Sequence, residues 1–235
     1  MVAKSKVLIF GATGAIGASL VDWFLSHDWS VTGVSRDSVV EDTDSVQWVG
    51  WNPRFEKTAP EQLRSPFDAV VWAQGLNFSD SIFSFTAQEH LEMYYANVVY
   101  IIDTLRSLLD RSLLAKPCRL TVISSIWQEI ARQEKMSYII TKSALKGLVQ
   151  SLVIDLGGQG FLINAILPGA LDTPMTKNNL SEKQLFDIKK ATPLGSLATL
   201  EDVCNLAGFL CSIDNTGITG QFIIADRGFS YARII

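Results

Sequence analysis

The chain has 235 residues, 48% of them hydrophobic and 19% charged, a size and balance suited to one α/β domain with a substantial buried core. Its formal net charge of −4 argues against nucleic acid or an anionic membrane surface as the main partner. Cys118, Cys204 and Cys211 have no metal-ligand spacing and cannot all pair, and His27 and His90 are the only histidines. These counts point to reduced thiols in a cytoplasm, to no metal, and away from a Ser-His-Asp triad.

Lys4 and Lys6 precede an uncharged stretch over residues 7–20, a pattern that could pass for a signal peptide. Three glycines at three-residue steps, Gly11, Gly14 and Gly17, make a better reading: a strand over 6–10, then a phosphate-binding turn into a helix that runs to about residue 27. Glycines in such a turn permit tight bending, close approach to a pyrophosphate and close helix–strand packing. The helix N-terminus adds free N–H donors and the positive end of its dipole. Gly11, Thr13, Gly14, Ala15, Ile16 and Gly17 are therefore candidate cofactor contacts. No apolar run approaches the ~20 residues of a membrane-spanning helix.

A second strand over 30–35 ends at Ser35, followed by Arg36 and Asp37. A carboxylate at this place would hold the ribose 2′-OH of NAD, whereas a neutral hydroxyl and a guanidinium suit a 2′-phosphate. NADP(H) is favoured through Ser35 and Arg36; NAD(H) stays open through Asp37. Strands over 46–49 and 67–73 follow. Thr86 and Glu89 form a capping-box pattern opening a helix that continues to about residue 110.

Residues 120–125 read as a buried strand ending in Ser124 and Ser125. Tyr138 and Lys142 lie four residues apart on a helix over 137–156, hence on one face of it; Gly157 and Gly158 stop the helix. A phenol titrates near pH ~10, and a nearby ammonium favours the phenolate and draws that value toward working pH. With a serine hydroxyl to polarise a carbonyl oxygen, this is the chemistry of ketone reduction or alcohol oxidation. The linking segment 126–136 carries Glu129, Arg132 and Glu134, suggesting a substrate mouth particular to this protein. A strand over 161–167, a polar stretch over 174–193 without periodicity, a capped helix from Thr199 and a last strand over 219–226 complete the chain. Strands alternating with helices predict a Rossmann-type α/β fold: a doubly wound parallel sheet of about seven strands with helices on both faces.

Gly11, Gly14 and Gly17, then Asn97, Ser125, Tyr138, Lys142, and the run Asn164 to Thr173 through Pro168 and Gly169 stand in an order and at spacings that resemble the short-chain dehydrogenase/reductase family, in its small single-domain branch. Ser125, thirteen residues before Tyr138, matches the family's serine rather than Ser124. The resemblance implies a Ser-Tyr-Lys-Asn proton relay, in which Lys142 holds the nicotinamide ribose and Asn97 holds a water that connects Lys142 to solvent. It also implies cofactor contacts at Asn52, at Ala73, Gln74 and Gly75 (where the family has Asn-Ala-Gly), and at Pro168, Gly169 and Thr173 beside the nicotinamide carboxamide. Residues 174–193 would be a substrate lid, and the two long helices the face of a homodimer or homotetramer. The implied activity is NADPH-dependent carbonyl reduction, reversible as alcohol oxidation, on a small molecule. The alternatives are a nucleotide-sensing regulator without chemistry and, from the glycine spacing, a sugar-nucleotide epimerase or dehydratase of the extended branch.

Overall fold

The first strand, β1 (Lys6–Phe10), is apolar on both sides, as a strand covered on both faces must be. In the computed structural model, which describes residues 4–36, 45–64, 66–173, 176 and 180–231, its alternate side chains enter two separate cores. Leu8 and Phe10 join one and Val7 and Ile9 the other, following the two-residue period of a strand. Six further strands pair in parallel: β2 (Ser30–Ser35), β3 (Val46–Gly50), β4 (Phe67–Trp72), β5 (Leu114–Ile123), β6 (Leu162–Pro168) and β7 (Phe222–Ala225). The sheet order is β3-β2-β1-β4-β5-β6-β7. It reverses direction between β1 and β4, and ligands of such sheets bind in the crevice at the strands' carboxyl ends there.

One face carries α1 (Ala15–Ser26), whose Leu20 and Phe24 pack with Val203 and Ala207 of α6 (Leu200–Cys211). The contact is close: a Cβ on Gly208 would lie 1.9 Å from the Trp23 ring. The other face carries α2 (Ala87–Tyr94), α3 (Tyr100–Asp110) and α4 (Met136–Gly157). Here Phe10 stacks on Trp72 at 5.7 Å and meets Tyr100 edge-on, and the Trp72 indole N–H donates to Thr104 Oγ1 at 2.9 Å. Each such aromatic contributes about 1.5–3 kcal/mol by burial, so the strand ends that carry the site stand on a rigid floor.

Three elements differ from the sequence expectation. The single long helix from Thr86 is interrupted by one π-helical turn, Tyr95–Val99, which places Asn97 where the hydrogen-bond ladder shifts. β5 begins at Leu114 rather than near 120; its pairing with β4 shifts register between Phe67 and Ala69, a bulge that accommodates Pro117, which has no N–H to donate. The stretch taken as aperiodic contains α5 (Glu182–Ala191), started by a capping box between Ser181 and Gln184. Among the described residues no helix is long and apolar enough to cross a membrane.

Candidate active site

The crevice is a cavity of about 450 Å³ running from the β1–α1 turn to α4 and α5. At its first end the chain turns sharply: Gly11 takes φ +71°, and a Cβ there would lie 2.6 Å from Gln74 N. A Cβ on Gly17 would lie 2.1 Å from Gly11 O, so both positions require glycine. Gly14 caps α1 without any side-chain hydrogen bond, and the first turn holds no acidic residue. The helix therefore presents open N–H groups to the cavity, with Thr13, Ala15 and Ile16 on its wall. Such a terminus is an anion site.

Next along the cleft stand Ser35, Arg36 and Asn52; Asn52 Oδ1 accepts from Arg54 N at 3.1 Å. Arg54, which the sequence did not single out, also lines this end, paired with Glu92 at 3.2 Å and set over the Tyr95 ring at 4.5 Å. Asp37 lies outside the described residues. After β4, Ala73 N donates to Phe10 O at 3.0 Å, keeping the turn. Both polar atoms of the Gln74 carboxamide are buried without a partner among the described residues. At the third strand end Gly169 N donates to Ala225 O, and a Cβ on Gly169 would lie 2.7 Å from Asp226 Cβ. Pro168 and Thr173 share this wall; Thr173 Oγ1 bonds Thr176 Oγ1 at 3.2 Å and accepts Thr176 N. An uncapped helix terminus, the Arg36 guanidinium after β2, that of Arg54 after β3 and an orphaned carboxamide fit a bound dinucleotide.

The catalytic candidates converge at the other end. Ser124 is committed elsewhere, donating from Oγ to Gln128 Oε1 at 2.8 Å. Ser125 Oγ accepts Trp127 N at 3.3 Å, and its hydroxyl lies near enough to the Tyr138 phenol to favour the phenolate. Lys142 is 3% exposed, with Nζ donating to Ile123 O at 3.1 Å and 5.7 Å from the Tyr138 ring centre. Burial pushes the Tyr138 phenol up to about 12 against the opposing pull of Ser125, and burial draws Lys142 down to about 8. The expected lowering of Tyr138 by Lys142 does not appear: burial dominates both groups, because the same dry wall disfavours both charges. Asn97 grips the backbone of Leu76 from both sides, accepting its N–H at 2.8 Å and donating to its C=O at 3.0 Å, and also donates to Thr141 Oγ1 at 2.9 Å. Both its N–H donors are thereby used, so the side chain acts here as a clamp on the loop after β4. A Cβ on Gly75 would approach Asn97 Oδ1 at 3.3 Å and Lys142 Nζ at 3.8 Å, which brings loop, amide and amine together.

A family model described as enoyl-(acyl carrier protein) reductase matches residues 56–230, from beyond β3 to just past the last strand, a span that holds Asn97, Ser125, Tyr138 and Lys142. The chain belongs to the short-chain dehydrogenase/reductase family. It is an oxidoreductase. The uncharacterised oxidoreductase YmfI of Bacillus subtilis is 26% identical to this dehydrogenase/reductase over 243 residues, covering 96% of this chain and 99% of its own. L-rhamnose 1-dehydrogenase (NADP(+)) of Thermoplasma acidophilum is 39% identical over 112 residues, 47% of this chain and 44% of that enzyme. Among solved structures, ElxO with NADP bound has the same fold, with a TM-score of 0.85 at 22% identity over 97% of this chain and 100% of that one.

Proposed function

We propose that the protein is an NADPH-dependent carbonyl reductase, reversible as an alcohol dehydrogenase, acting on a small molecule. The observation that carries this reading is the buried amine of Lys142, 5.7 Å from the Tyr138 ring, on the same cavity wall as Ser125. A bound nicotinamide supplies the hydride. Tyr138 donates its proton to the carbonyl oxygen, Ser125 polarises that oxygen, and Lys142 would hold the ribose and, as an ammonium, stabilise the phenolate until a proton from solvent restores the phenol. A phenol held near 12 keeps its proton at neutral pH, which suits the donor role in reduction. Asn97 contributes by fixing the loop after β4 through the Leu76 backbone, beside Lys142.

Arg36, with Arg54 beside it on the cleft wall, supports NADP(H) through charge-assisted contacts to a 2′-phosphate; a relative named as NADP(+)-dependent supports the same choice. Leu180 and Ile188 on the cavity wall support the reading of 174–193 as its cover. Exposed Leu91, Ile102, Ile140 and Ile154 on α2, α3 and α4 support a homo-oligomer through those helices, and three unpaired buried thiols suit the cytoplasm.

Calorimetric titration with NADPH and NADH, followed by NADPH oxidation across a ketone panel, tests this. NADPH is expected to bind more tightly, with about tenfold or more of that advantage lost in Arg36→Ala, since a hydrogen bond to a charged group is worth about 1.5–3 kcal/mol. Preference for NADH would reject the Arg36 argument. Binding of neither would reject the enzyme.

A further inference from the structure

The cleft wall holds a second buried lysine that the proton relay leaves without a task. Lys135 is 3% exposed and lines the same cavity as Tyr138. Its ammonium donates to Asn77 Oδ1 and Ser79 Oγ, each at 3.0 Å. Both partners are neutral, and an ammonium has three donors, so among the described residues one N–H has no acceptor. Arg132, three residues earlier, lines the cavity too and stands over the Trp127 ring at 5.9 Å. Among the described residues neither cation forms an ion pair with a carboxylate. Asp80 accepts Ser137 N at 2.9 Å, and Glu134 is exposed.

Burial first, and then the charge of Arg132, push Lys135 below its ordinary value; Asp80 and Glu134 oppose that without reversing it. Two neighbouring cations on a partly dry wall disfavour one another unless an anion comes between them. The backbone is also held unusually here: Glu134, next to Lys135, takes φ +57°, a conformation non-glycine residues adopt at a cost and chiefly where the surroundings enforce it.

We propose that Arg132 and Lys135 form an anion subsite, so that the natural substrate is a carbonyl compound bearing a carboxylate or phosphate held there while its carbonyl faces Ser125 and Tyr138. This rests on the carbonyl-reductase reading and adds the substrate's charge to it. The competing role for Lys135 is to pin the 77–80 loop through Asn77 and Ser79. Lys135→Gln separates the two, because the amide keeps donors for the loop and removes the charge.

Ketone pairs that differ only in an anionic group provide the test: acetoacetate against methyl acetoacetate, 4-acetylbenzoate against its methyl ester, and dihydroxyacetone phosphate against dihydroxyacetone. Each is titrated calorimetrically into the full chain, alone and saturated with NADP+, where no hydride is available. In at least one pair the anionic member is expected to bind about tenfold or more tightly, about 1.4 kcal/mol, and the pairs distinguish carboxylate from phosphate. That preference should fall toward unity in both Arg132→Gln and Lys135→Gln, with thermal unfolding as the folding control. The partly exposed Arg132 keeps the test readable if the lysine variant does not fold. Absence of an anionic preference in every pair, or a preference that survives both substitutions, overturns the subsite. If NADP+ does not bind but the preference stands in the free protein, the reductase reading fails and the subsite survives.

Discussion

At the end of the cleft that we assign to the dinucleotide, backbone forms the wall: N–H groups at the start of α1, a turn closed by Gly11 and Gly17, and strand ends too close to one another to admit a Cβ. At the end that we propose is catalytic, side chains form it: Ser125, Tyr138, Lys142, Lys135 and Arg132, most of them pressed into a dry wall. The difference concerns what each end tolerates. Backbone donors survive most substitutions and fail only when a side chain is added where there is no room. The catalytic end fails one functional group at a time, and there burial itself sets the chemistry by opposing every charge. Lys142 and Lys135 show this, since desolvation is the first cause of the downward shift in both.

The largest expected effect removes one atom from the catalytic end. Tyr138→Phe should lower turnover on an accepted ketone by about 10²–10⁴, the usual contribution of a positioned acid. NADPH affinity should stay nearly unchanged, as read by calorimetry. Near-wild-type turnover would discard the mechanism.

Lys142→Met tests the cost of the dry wall. The fall from 10.5 to about 8 corresponds to about 3 kcal/mol. Below pH 8 the amine is charged in both states, and folding bears that cost in full. Between about 8 and 10.5 the unfolded chain holds more protons than the folded one, so wild-type stability rises with pH. The Met variant, without NADP(H), should therefore be more stable at pH 7 by up to about 3 kcal/mol, and the gap should close toward pH 10. Denaturant midpoints across that range decide it. A Met variant no more stable at pH 7 would show that the buried ammonium is better compensated than its contacts indicate.

Gly17→Ala should break the backbone end instead. A Cβ 2.1 Å from Gly11 O forces the loop aside, at about 1–3 kcal/mol for overpacking. Dinucleotide affinity should fall with it, by about tenfold per 1.4 kcal/mol, as melting temperature and calorimetric titration would report. Unchanged affinity would mean that the loop does not hold phosphate.

Much of the cleft was legible from sequence because its signals are local. The glycine steps, the apolar runs and the four-residue step from Tyr138 to Lys142 each follow from the geometry of one element. The capping box at Thr199 was read correctly for the same reason. Ser181 and Gln184 carry the same signal, which could have found α5 inside the stretch read as aperiodic. The π turn was not legible, because it arises where Asn97 is drawn to Leu76 and Thr141 across long sequence separations. Lys135 does not stand out beside Glu129, Arg132 and Glu134, since nothing in a charged segment says which side chain turns inward.

By itself the sequence determined the alternation of strands and helices, the phosphate-binding turn and the set of groups available for proton transfer, all consequences of short-range periodicity and backbone sterics. Only the tertiary structure decided that Ser124 bonds Gln128 while Ser125 meets Tyr138, that Asn97 clamps a loop, and that Tyr138 moves up rather than down. Hydrogen-bond partners and desolvation depend on what packs around a group from distant parts of the chain, and that is settled only when the sheet and both helical layers close around it.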